Sequence, residues 1–178
     1  MKLQVSLIPV ILFQILTVEK LGKEQQLLLR SLQAAAVAIS AASLGRKPEI
    51  VSEGFAAASF IMERSADRLD NTLIGSVQFA LNERVRSDQP FPDYVKTVLA
   101  PDAGPQALAT LRQVTALLAE KSTPAEADGF KQWLMTIAAL TTEAGKEGGN
   151  FLGWGAVLVN DAEKAALAEV ATALGVER

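Results

Sequence analysis

The sequence predicts an all-α fold, a single helical bundle of about six helices, for three reasons. Apolar side chains recur every three to four residues along most of the chain after Lys23, which is the period of an amphipathic helix. Capping and breaking residues stand at the ends of these periodic stretches. No run of alternating residues requires a sheet, and only Ala156 to Val159 could pair locally as a strand.

The first predicted helix begins at Lys23 and ends at Gly45. Its inward stripe consists of Leu29, Leu32, Ala36, Ile39 and Ser43. Pro48 suits the first turn of a second helix, which we predict from Glu49 to about Leu69. Asn71 can cap a third helix, Thr72 to Val85. The predicted inward residues of that helix are Leu73, Val77, Ala80 and Leu81.

A breaker region is predicted from Ser87 to Pro105, because it contains four of the chain's prolines. One short apolar turn, Tyr94 to Leu99, lies inside it. The region is too short to separate two large domains, so we interpret it as a crossover within one domain.

Three more helices are predicted in the second half. The inner face of the fourth consists of Leu108, Leu111, Thr115 and Leu118. Thr123 to Glu126 combines an N-cap, a proline at the first helical position and a capping-box glutamate, and opens a fifth helix to about Lys146. One face of that helix carries Phe130, Trp133, Leu134, Ile137 and Thr141. Asn160 to Glu163 forms a second capping box, and Gly175 ends the sixth helix.

Composition excludes several classes of function. The 178 residues include no histidine and no cysteine, which rules out the usual zinc and haem sites, a di-iron bundle, a histidine base, a cysteine nucleophile and disulfides. No Gly-x-Ser-x-Gly or Ser-x-x-Lys motif occurs. The net charge of −3 offers no basic footprint for nucleic acid. We therefore expect no cofactor, no nucleic-acid partner and no enzymatic activity.

Residues 1–17 form the most hydrophobic stretch, and the single helical domain is predicted to span 18–178. Lys2 precedes an apolar run of 16 residues, Leu3 to Val18, which is shorter than the roughly 20 residues of a spanning helix. The segment is a terminal piece laid on the core, a membrane anchor or export signal, or an artefact of the assigned start. We expect a cytoplasmic protein, or alternatively one associated with a membrane through residues 1–18.

A glycine-rich loop between the fifth and sixth helices is the candidate interaction site. Four glycines in eight residues accompany large apolar side chains, without the spacing of a nucleotide-binding motif. Exposed, these side chains would bind a partner; folded back, they would close the end of the bundle. The candidate residues are Gly148, Gly149, Phe151, Leu152, Gly153, Trp154 and Gly155.

Carboxylates are the remaining candidates for a divalent cation, since oxygen ligands suit Ca²⁺ and Mg²⁺. Glu143 and Glu147 lie one turn apart, and Asp161 and Glu163 follow the glycine-rich loop. The alternative is that the first pair lies on a solvated face and the second pair stabilises a helix N-terminus.

The segment from Phe130 to Gly155 and the run Asn160 to Leu167 resemble the tail of a family of small uncharacterised bacterial proteins. Those proteins end in a similar KEGGFLGFGG…VS-x-x-E pattern followed by an Ala/Leu-rich helix. The resemblance implies one helical domain and no catalytic residue. A more distant similarity is to TerB-like tellurite-resistance domains, whose turns would correspond to Leu44-Gly45 and Trp154-Gly155. The aspartates that hold a metal in those domains are missing here.

Together these features predict a non-enzymatic helical protein that acts through protein–protein contact and associates with itself. The basis is the absence of catalytic residue types, a mean hydropathy of +0.22 and helix faces rich in small residues. The alternatives are a membrane-peripheral protein and a binder of a small molecule or cation within the bundle.

Overall fold

The computed structural model describes residues 22–43, 47–63, 70–147 and 161–176, and these residues confirm the all-α prediction. Seven helices occur in this part of the chain, one more than the six predicted, because the short turn at Tyr94 is helical. They are α1 (Lys23–Ser43), α2 (Lys47–Met62), α3 (Thr72–Arg86), α4 (Tyr94–Val98), α5 (Ala103–Lys121), α6 (Pro124–Glu147) and α7 (Asp161–Leu174).

Helix α1 is the centre of the bundle. It packs against α5, α6 and α7, and also against α2 and α4. Its middle is rich in alanine, and Ala35 and Ala36 are almost fully buried, so neighbouring backbones approach it closely. Helix α2 packs mainly on α6, and its second neighbours are α1 and α4.

Three of the predicted helix-end signals are confirmed in the described residues. The Asn71 side chain accepts the Ile74 N–H at 3.1 Å, which caps α3. At the start of α6, the Glu126 carboxylate accepts the Thr123 N–H at 3.0 Å, and the Thr123 hydroxyl accepts the Glu126 N–H at 3.3 Å. Gly175 has a positive φ of 63° directly after α7, the conformation that commonly ends a helix.

Two predicted boundaries are wrong. Helix α5 begins at Ala103, so Pro105 lies inside its first turn and not in the breaker region. A proline is tolerated there because the first N–H groups of a helix have no intrahelical acceptor. Helix α2 ends at Met62, well before the predicted end near Leu69.

No helix in the described ranges is both long enough and apolar enough to cross a membrane. Residues 1–17, on which the membrane alternative depends, lie outside those ranges.

Candidate functional site

The seven candidates of the glycine-rich loop lie outside the described residues, in the gap 148–160 between α6 and α7. They are Gly148, Gly149, Phe151, Leu152, Gly153, Trp154 and Gly155.

The four carboxylates proposed for a cation are dispersed along two helices. Glu143 is exposed on α6, and Glu147 is the last residue of that helix. Asp161 is exposed at the start of α7 and forms an ion pair with Lys164 at 3.5 Å, whereas Glu163 is buried. Within the described ranges, no three acidic side chains form a group that could hold a metal ion.

Instead, Glu163 lies within electrostatic range of a buried polar cluster that sequence reasoning missed. Its central residue is Glu53 of α2, which is only 3% exposed. The Ser40 hydroxyl of α1 donates a hydrogen bond to the Glu53 carboxylate. The Ser40 oxygen also lies 2.8 Å from the hydroxyl of Tyr94 on α4. Three helices are thereby joined through one hydroxyl.

The electrostatics of this cluster disfavour a negative charge on Glu53. Burial raises the pKa of the Glu53 carboxyl, the Ser40 hydrogen bond opposes that rise, and the negative charges of Glu163 and Glu49 add to it. Burial also raises the pKa of the Tyr94 hydroxyl, against the effect of its hydrogen bond with Ser40. Ser40 is fully buried, and its hydroxyl links α1 to α2 and α4 inside the bundle.

A glycine completes the contact between α2 and α4. A Cβ atom added to Gly54 would lie 2.5 Å from Cδ1 of Tyr94, closer than real side chains approach. Only glycine at this position lets the aromatic ring lie against the α2 backbone, which brings the Tyr94 hydroxyl to Ser40. The inner side of α2 is therefore fitted closely to α1 and α4.

The outer side of α2 exposes several large apolar side chains. Phe55, in the middle of the helix, is 74% exposed, and Val51 and Met62 are 55% and 43% exposed. Exposed serines and alanine lie between them, and no charged side chain interrupts the row. The outer face consists of Val51, Ser52, Phe55, Ala58, Ser59 and Met62.

Helix α3 also exposes a large aromatic side chain. The Gln78 side-chain amide donates to the Glu63 carbonyl at 3.2 Å and lies 3.5 Å from the Ile61 carbonyl. The next residue, Phe79, is 65% exposed, so a second aromatic ring is present close to the end of α2. Exposed apolar patches mark interaction sites on folded proteins, and the outer face of α2 is the candidate patch here.

A sequence signal for this face does exist. Residues 50–62 contain a single charged residue, Glu53, and the structure places it inside. A helix at the surface of a bundle ordinarily turns its charged residues outward. With Glu53 inside, residues 50–62 of α2 have no charged side chain left to present to water.

No family model matches the chain, and no curated protein or solved structure matches it either. Its function is therefore inferred from its own residues.

Proposed function

We propose that this chain is a non-enzymatic protein that acts through protein–protein contact and associates with itself through the outer face of α2. The observation that carries the proposal is the exposure of Phe55 at the centre of an uncharged helix face. The contact surface is thus assigned to α2, in addition to the glycine-rich loop that the sequence suggested.

The hydrophobic effect supplies the driving force. Removing a large apolar side chain from water contributes about 1.5 to 3 kcal/mol, and Phe55, Val51 and Met62 all retain exposed area for such a gain. The face carries no charge whose desolvation would oppose association. In a symmetric dimer both copies would contribute this same face to the contact.

Sedimentation velocity of the full chain between about 1 µM and about 100 µM tests the proposal, a range that covers typical weak dimers. We expect the wild type to shift towards dimer as concentration rises. Phe55→Glu is expected to remain monomeric, because it places like charges on both copies at the contact.

Ala116→Glu is the matched control, since it adds the same charge to an exposed position. Ala116 lies on α5, which packs mainly against α1 and α7. This variant is expected to associate like the wild type. A wild type that stays monomeric throughout the range, or equal behaviour of the two variants, would rule out the α2 face as the site of self-association.

A further inference from the structure

The outer face of α2 has a second regularity, in the sizes of its side chains. The exposed residues Ser52, Phe55, Ser59 and Met62 follow one another at intervals of three, four and three residues. This is the spacing of a helix–helix seam. Small and large residues alternate along it, since each serine is followed by a phenylalanine or a methionine.

We propose that the partner of this seam is the same helix of a second copy, packed antiparallel to the first. The proposal rests on the proposed function, and it adds the direction and register of the contact. A two-fold axis perpendicular to α2, at the level of Ala57, places Phe55 of one copy opposite Ser59 of the other. The same axis places Met62 opposite Ser52.

Side-chain size favours this arrangement over a parallel one. In the antiparallel register Phe55 and Met62 each face a serine, so these four positions of the seam are filled evenly, as close packing requires. In a parallel pair each residue faces its own copy: Phe55 meets Phe55, and Ser52 meets Ser52. Large residues would hold the helices apart there, and voids would remain between the serines.

Helix dipoles favour the same direction. Antiparallel neighbours place the positive N-terminal end of each helix beside the negative end of the other, and parallel neighbours place like ends together. No charged side chain on the outer face counteracts this preference.

The length of α2 sets the expected strength of the contact. Its 16 residues extend about 24 Å, and one helix pair of that length buries less than the roughly 800 Å² per partner of a standard stable interface. The dimer is therefore expected to be reversible and dependent on concentration.

Cysteine cross-linking of the full chain tests the register, because the chain contains no cysteine of its own. The key sample is an equimolar mixture of the single variants Ser52→Cys and Met62→Cys, oxidised mildly at a concentration that favours dimer. Both positions are exposed, so the fold is expected to tolerate the changes.

We expect the mixture to form at least about ten times more covalent dimer than either variant alone. In the antiparallel register, residue 52 of one copy lies level with residue 62 of the other. The two copies of residue 52 are therefore separated by ten residues of helix, or about 15 Å along the axis. The Cα atoms of a disulfide lie within about 7 Å of each other, so neither variant cross-links to itself.

Two outcomes would overturn the inference, and they are distinguishable. Efficient cross-linking of Ser52→Cys to itself, in a protein whose self-association Phe55→Glu abolishes, means a parallel seam and leaves the proposed function intact. A monomeric wild type that Phe55→Glu destabilises means that another part of the same chain, such as residues 1–17, covers the face, and both proposals then fail.

Discussion

Helices α5 and α2 pack against the same central helix and have opposite distributions of charge. Helix α5 buries Leu111, Val114 and Leu118 and exposes charged residues such as Arg112 and Glu120. Helix α2 exposes Phe55 and buries Glu53. The difference shows that the outer side of α5 is suited to water. Helix α2 instead combines a buried carboxyl group with an exposed aromatic ring, and both are energetically costly.

The largest expected effect comes from truncating one apolar side chain on each helix. Leu111→Ala is expected to lower the free energy of unfolding by about 2 to 5 kcal/mol, because Leu111 is fully buried and its removal leaves a cavity. Phe55→Ala is expected to change it by less than about 0.5 kcal/mol, since the ring is largely in water. Urea denaturation at a concentration where the protein is monomeric measures both.

A loss of stability of similar size in the two variants would contradict this comparison. It would mean that Phe55 is covered within a single chain, and that α2 and α5 are equally integrated into the core.

A smaller effect is expected from filling the space beside Gly54. Gly54→Ala is expected to destabilise the fold by about 1 to 2 kcal/mol, because the strain of an added Cβ against the Tyr94 ring exceeds the gain in helix propensity. Gly75→Ala, in α3, is the matched control. Apart from its chain neighbours and the backbone of α3 itself, nothing lies within 4 Å of a Cβ added at that position, so this change is expected to stabilise by about 0.5 to 1 kcal/mol.

Thermal unfolding followed by circular dichroism distinguishes the two variants by the sign of the shift in melting temperature. A gain in stability from Gly54→Ala would show that α4 yields to the added methyl group, and that the inner side of α2 is less closely fitted than its distances indicate.

The parts of the fold that depend on neighbours in the sequence could be predicted from it. Asn71 and Thr123 cap helices by bonding to residues three positions away, so their signals are complete within one turn. The start of α5 was missed because Pro105 is a breaker inside a helix but is compatible with its first turn. A local pattern does not distinguish these two positions.

The buried Ser40–Glu53–Tyr94 cluster and the orientation of α2 could not be predicted, because these residues come together only in the tertiary structure. Ser40, Glu53 and Tyr94 lie on three different helices, and nothing in the local pattern around Glu53 specifies which side of α2 faces α1. The apolar period of α2 fits either orientation, since its two sides differ little in hydrophobicity. The hydrogen bond to Ser40 and the Gly54–Tyr94 contact select the orientation that exposes Phe55.

The smallest expected effect concerns the charge of Glu53 and appears as a dependence of stability on pH. The pKa of the Glu53 carboxyl is raised in the folded chain by burial and by the negative charges of Glu163 and Glu49, despite the Ser40 hydrogen bond. The folded state therefore binds a proton more tightly than the unfolded state does. The stability that this tighter proton binding at Glu53 contributes is fully present below the ordinary carboxyl pKa of about 4.3. It is lost as the pH rises through the raised pKa of the folded state.

Glu53→Gln removes this dependence, because an amide stays neutral at every pH and its oxygen can still accept the Ser40 hydroxyl. We expect the variant to be more stable than the wild type near neutral pH, with an advantage that shrinks as the pH falls towards 4.3, the approximate carboxyl value. Glu143→Gln, at an exposed position on α6, should leave the profile unchanged. A wild type that loses stability relative to Glu53→Gln on acidification would mean that Glu53 is held as a carboxylate. The inner side of α2 would then carry a stabilising charge. The exposed apolar residues of its outer side would be the remaining difference from α5.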